Sequence, residues 1–169
     1  MERFEPPVVG DAETMLFAFL EYHRATLELK CAGLTNAEAA KAAVPPSPLS
    51  LLGIVRHMTD VEQIWFGERF LGVSPTEMYR TAEDPDAPFH RLEEADLAAS
   101  IARWRSACDA SRHVVAQATS LDQLSIGIRA RTGEHVSLRW LLFHLVEEYA
   151  RHNGHADLLR EAIDGVTGI

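Results

Sequence analysis

The sequence predicts an all-α fold, a four-helix bundle with long inter-helix loops, built as one domain over residues 1–169. Three observations predict it. Four stretches carry apolar residues at the three-and-four spacing that lines one face of a helix. No stretch of convincing length alternates apolar and polar residues as a half-buried strand does. A chain of 169 residues with 47% hydrophobic side chains is long enough for one proper core and short for two.

Residues 1 to 10, with Pro6, Pro7 and Gly10, read as a lead-in arm. Asp11 then caps a first long helix running to about Ala32, where Gly33 stops it. Leu34 to Ala43 can hold a short helix capped by Thr35 or Asn36, and the VPPSP run forbids continuation because proline lacks an N–H. The second long helix is expected from Ser47, with Pro48 in its first turn, to about Leu71, ended by Gly72. Its inward stripe reads Ile54, His57, Val61, Ile64, Trp65 and Glu68. Gly53 lies within it; a helix-interior glycine costs about 1 kcal/mol against alanine, which signals a close neighbour or room for a ligand. Residues 73–92 mix prolines, acids and aromatics without a period and read as a long surface loop. A third long helix is expected from about Glu94 to Ala118, with Leu97, Ile101, Trp104, Cys108 and Val115 inward. Gly127 and Gly133 punctuate the next link, after which Ser137 caps the fourth long helix, which runs to Gly165. Trp65, Trp104 and Trp140 read as core aromatics.

A formal charge of −9 with no Lys/Arg cluster argues against a nucleic-acid partner. The N-terminus has no apolar signal region and no run approaches the roughly 20 residues of a membrane span, so a cytoplasmic protein without a membrane partner is expected. Cys31 and Cys108, far apart and outside any CxxC, read as buried small apolar residues.

The fourth long helix carries the chemistry. Leu141, Leu145, Glu148, His152, His155 and Leu159 fall within one stripe about 80° wide, so a carboxylate and two imidazoles stand where leucines are expected. Burying an unpaired carboxylate costs several kcal/mol, so Glu148 and His152, one turn apart, must share a proton, a salt bridge or a cation. A plain ion pair is the bland alternative, and a lone inward histidine is more often hydrogen-bonded core than ligand. Three such residues at similar depth point to a divalent metal held by His57, Glu148 and His152, a set that leaves one position open for water or substrate. Zinc comes first, with nickel, iron and manganese open. His144 and His155 flank the pair as a fourth ligand or a base beside the site. His23, His90, His113 and His135 read as surface or loop residues, and Asp60 and Arg151 as solvated charges on the rims of their stripes.

The segments PPSPLSLLGIVRHMTDVEQIWF and WLLFHLVEEYARHNGHADLLRE resemble the DinB-like metalloprotein superfamily, in particular its small single-domain branch called mycothiol-transferase-like. The likeness spans nearly the whole chain. It implies a four-helix bundle with a zinc or nickel site and a low-molecular-weight thiol, such as mycothiol or bacillithiol, as cofactor. Much of the superfamily uses three histidines, two of them one turn apart on the last helix before a basic tail. Here the first of those positions is Glu148, and His152-Asn153-Gly154-His155 stands where the tail would be. That set is similar to the His, Glu, His ligands in the N-terminal metal-binding domain of mycothiol-dependent maleylpyruvate isomerases, mapping onto His57, Glu148 and His152. Those isomerases carry a further C-terminal domain, so isomerase activity is not expected of a chain ending at Ile169.

Three functions follow. The first is a thiol-dependent S-transferase joining a small thiol to an electrophilic substrate, the metal activating the thiol. The second is metal-assisted hydrolysis with His144 or His155 as base. The third is a non-catalytic metal-binding or stress-response bundle. A homodimer is also expected, because Phe143, Val146 and Ala150 extend the apolar surface of the fourth helix to its far side, with cover by the 73–92 loop as the alternative.

Overall fold

Five short polar side chains set where the helices begin. The structure, a computed structural model, describes residues 2–75 and 77–168; Met1, Ile169 and Thr76 of the 73–92 segment lie outside the described residues. Asp11 accepts from the Thr14 N–H at 2.9 Å and opens α1, Ala12–Cys31. Thr35 and Glu38 form a reciprocal capping box at α2, Asn36–Ala40. Ser50 accepts from the Gly53 N–H and opens α3, Leu51–Glu62, which continues as a π-helix over Gln63–Phe70. Asp96 caps α4, Leu97–Gln117, and Ser137 caps α5, Leu138–Asp164, which Gly165 ends at φ 77°. Two expected starts move inward. The second long helix begins at Leu51 because Ser50, not Ser47, supplies the capping hydroxyl. The third begins at Leu97 because Leu92–Glu94 is a separate 3₁₀ turn and Asp96 the cap.

Contacts along the helices fix their directions. Arg112 reaches Glu21 at 2.7 Å and Arg105 reaches Glu28 at 2.6 Å, so α1 and α4 are antiparallel. Asn153 donates to the His23 carbonyl and Arg160 to the Lys30 carbonyl, so α1 and α5 are parallel. His57 meets His152, and Trp65 meets Trp140, so α3 opposes α5. The order is up, down, down, up, and the 71–96 connection carries the chain back along the bundle between the parallel α3 and α4. The long link between α4 and α5 has a different use: Ile126 and Gly127 donate N–H groups to the carbonyls of Phe70 and Arg69, capping the end of the π-helix.

The faces turned to the core are wider than those expected: Ile54, Val61, Leu141, Leu145 and Leu159 are buried as expected, and a second buried line runs beside them. On α3 this second line is Leu51, Val55, Met58, Phe66 and Phe70, with Glu62 in its middle; on α5 it is Leu142, Leu145, Tyr149, Asn153, Ala156 and Arg160. Both lie roughly a quarter turn from the stripes holding His57 and Glu148, at 100° per residue. The leucines, Ile54 and Val61 of the expected stripes are thus core, and the polar members, His57 on α3 and Glu148, His152 and His155 on α5, are half-buried where the two helices meet. At the centre of the core, Arg24 forks onto Glu62 with contacts of 2.9 and 2.7 Å, Tyr149 donates to Glu62 at 2.6 Å, and the Trp104 indole donates to Tyr149 at 2.9 Å. Among the described residues no helix is long and apolar enough to cross a membrane.

Candidate metal centre

α3 contributes His57 and α5 contributes Glu148 and His152, and one ligand atom from each lies within 4.8 Å of the other two. The three residues singled out by spacing are thus brought together. Glu148 Oε2 and His152 Nε2 stand 3.6 Å apart, the separation that two tetrahedral ligands at ~2.0–2.2 Å from one ion require, about 3.3–3.6 Å. The His57 and His152 rings lie 4.7 Å apart between centroids. The Glu148 and His152 side chains are 18% and 11% exposed, so the trio is largely but not completely withdrawn from solvent.

Burial holds His57 below the ordinary histidine range, although Glu148 and Asp60 pull the other way. Burial also brings His152 down to about 3, helped by the neighbouring His57, His155 and Arg151. Both imidazoles are therefore neutral at neutral pH, each with a lone pair free for an ion. Two neutral imidazoles and a carboxylate suit zinc and its borderline neighbours, so the donor set fits a divalent cation.

The flanking histidines take distinct places. His144 Nε2 lies 3.5 Å from the second oxygen of Glu148, and its ring sits between Trp65 at 4.5 Å and Trp140 at 5.1 Å. Trp104 is fully buried, while Trp65 and Trp140 are half-buried and pack against the edge of the core. His155 Nδ1 lies 3.5 Å from His152 Nδ1, where it favours ion binding through the other nitrogen of His152. Arg151 is an exposed partner of Glu147 at 2.5 Å, as expected of a rim charge.

Asp60 corrects the expectation of a solvated rim charge. It is buried, and its two oxygens accept the backbone N–H groups of Tyr79 and Arg80 at 2.9 and 2.8 Å. Its partners are backbone groups in a loop without periodicity, which left no pairing to read. His23, expected at the surface, is half-buried on α1 beside Asn153. Gly53 resolves toward a close neighbour: a Cβ there would stand 2.3 Å from the Phe89 ring, which also packs 5.9 Å from the His57 ring.

The up-down-down-up bundle with a His, Glu, His trio between its second and last long helices defines a DinB-like protein. The mycothiol-S-transferase family model matches residues 15–165, and the chain belongs to that family. The fold is shared with the crystal structure of the conserved protein of a locus from Enterococcus faecalis, at a TM-score of 0.66 and 15% identity over 94% of this chain and 100% of that one. A search of curated proteins returned no match.

Proposed function

We propose that the protein is a thiol S-transferase in which His57, Glu148 and His152 hold one divalent cation, zinc in the first instance, and the thiol is a low-molecular-weight one, mycothiol by family. The observation that carries the reading is the convergence of three half-buried donors from two helices within 4.8 Å. A divalent cation bound there supplies a positive charge that lowers the pKa of a coordinated thiol, so that thiolate predominates at neutral pH.

The chain's own residues do the rest. Burial keeps His57 and His152 neutral, Glu148 turns one oxygen to His152 and the other to His144 at 3.5 Å, and His144 is the proposed acceptor of the thiol proton. The thiolate sulfur forms the new bond to the electrophile as its leaving group departs. The nucleophile comes from outside the chain. Burial pushes the Cys31 thiol up to about 12, and burial together with Glu62 raises Cys108 well above the ordinary range. Such chemistry belongs in the cytoplasm, where thiols are kept reduced, and we propose a twofold homodimer through the outer face of α5.

Two measurements test the reading. Metal analysis is expected to give one divalent ion per chain in the wild type and to lose it in His57→Ala, Glu148→Ala and His152→Ala. Thiol consumption with mycothiol, bacillithiol and glutathione against an electrophile panel is expected to require that metal. Full occupancy in all three variants would move the site elsewhere, and ester or amide turnover without any thiol would replace transfer by hydrolysis.

A further inference from the structure

On a chain of net charge −9, one cleft is basic. It has a volume of about 300 Å³, His57 and Trp65 form part of its wall, and Arg69, Arg80, Arg129 and Arg131 line it. Arg69 is matched by Glu68 at 2.7 Å. Among the described residues no carboxylate stands within ion-pair distance of Arg80, Arg129 or Arg131. The acid inside the cleft, Asp60, has both oxygens occupied by the Tyr79 and Arg80 N–H groups. Three arginines without an ion-pair partner among the described residues thus line one cleft beside a residue of the candidate metal centre, with Asp60 the one carboxylate in its wall.

Their backbones are held in place. The Asp60 contact fixes the Arg80 backbone within the 71–96 connection. Arg129 and Arg131 sit in a tight turn closed by Arg129 N–H to the Glu134 carbonyl and Gly133 N–H to the Arg129 carbonyl, both 2.8 Å. The Arg129 guanidinium lies over the Trp140 ring at 4.9 Å, which keeps its N–H fork directed by stacking while leaving the hydrogen-bonding edges free. Planar guanidinium groups arranged in this way recognise carboxylate oxygens in pairs.

We infer that one of the two reactants carries a carboxylate, and that Arg80, Arg129 and Arg131 bind it in this cleft so that its reacting atom lies toward His57. The inference rests on the transferase reading for the reaction but not for the binding. The neutral walls formed by Trp65 and Ile64 suit a short carbon chain between the anionic group and the reacting atom.

The test compares iodoacetate with iodoacetamide on the metal-loaded protein. Both react by the same displacement: a sulfur–carbon bond forms, the carbon–iodine bond breaks, and iodide leaves with its electron pair. With mycothiol as thiol, the ratio of kcat/KM for iodoacetate over iodoacetamide is expected to exceed the uncatalysed ratio by about tenfold or more, the worth of a charge-assisted contact. That excess should disappear in Arg129→Gln/Arg131→Gln, return in part with Lys at both positions, persist in Arg105→Gln, and fade as salt screens it. A parallel arm holds iodoacetamide constant and compares N-acetylcysteine with N-acetylcysteamine; an excess there instead assigns the carboxylate to the thiol. Calorimetric titration with malonate reads the cleft without any reaction, and loss of that binding in the double variant supports the inference even where no thiol is consumed. Malonate binding unchanged in the double variant, or solution ratios in both arms together with no malonate binding, overturns it.

Discussion

Glu62 is more deeply buried than any residue of the candidate metal centre, and it is paired more completely. Removing one partner leaves a charge with no water to solvate it, so Arg24→Ala is expected to destabilise by about 3–5 kcal/mol, read as a shift in denaturant midpoint. Arg24→Met/Glu62→Leu should recover most of that loss, and a double variant no more stable than Arg24→Ala would mean the network stabilises by its own contacts. The imidazoles make a separate demand. His57 and His152 have folded-state pKa values below the ordinary 6.5, so protonation favours the unfolded chain. Their contribution is intact above pH 6.5 and is lost as pH falls toward the folded values, about 3 for His152, with a slope approaching 1.4 kcal/mol per pH unit for that residue. Metal-free wild type is therefore expected to lose more stability between pH 6.5 and 4 than metal-free His152→Gln, and parallel curves would refute the assignment. Metal-loaded protein should hold its ion well below pH 6.5 and release it as pH falls toward the folded value of His152, about 3, where that imidazole takes up a proton. The trio was legible because polar residues interrupt an apolar pattern at helical spacing. Asp60, Arg24 and Glu62 were not, because each is satisfied by a partner on a distant element or by loop backbone, and one stretch of sequence does not display such pairs.

At the scale of the element, α3 carries the most information and was the least completely read. Its existence, the presence of His57 and the burial of Ile54 and Val61 follow from spacing, but the second buried line does not, since the helix is apolar around more than half its circumference and two faces compete. Glu62 would have pointed away from the true core face for anyone expecting acids at the surface. The π-helical winding over Gln63–Phe70 has no signal in residue type; its end is defined by N–H groups of Ile126 and Gly127, more than 50 residues away. Gly53 was legible as a position of close approach, although the neighbour was not. Alanine there would gain up to about 1 kcal/mol of helix propensity and lose more to the Phe89 ring, since overpacking costs typically about 1–3 kcal/mol. Gly53→Ala is accordingly expected to lower the thermal midpoint in the wild type and to raise it in a Phe89→Ala background. A rise in both backgrounds would show that the ring moves aside without cost, and a fall in both would place the cost at another neighbour, the Ser50 hydroxyl 3.1 Å away.

For the whole molecule, four long helices and a single bundle were predicted from periodicity, while their order was not, because loop length alone does not say which ends meet. The ion pairs between α1 and α4 and the backbone contacts between α1 and α5 decide it. They also place α5 against α1 and α3 with one side left over. On that side Phe143 and Leu158 are each 58% exposed, and Ala150 and Gly154 lie between them at seven- and four-residue spacings. Val146, expected to share this face, is half-buried against the core instead. The alternative cover is occupied elsewhere: Phe89 packs under Gly53, and the Tyr79 ring lies beneath Arg56 and Arg103, so the 73–92 segment lies over α3 and α4. A second copy meeting this face about a twofold axis would set Phe143 of one protomer near Leu158 or the small residues of the other. Each large apolar side chain so covered stabilises association by roughly 1.5–3 kcal/mol. The wild type is therefore expected to sediment as a dimer at micromolar concentration and Phe143→Glu as a monomer, with helicity and metal content retained because the ligands occupy a different face of α5. A monomeric wild type would leave the exposed face of α5 without a partner copy, and a Phe143→Glu protein that still dimerises would move the contact to another surface.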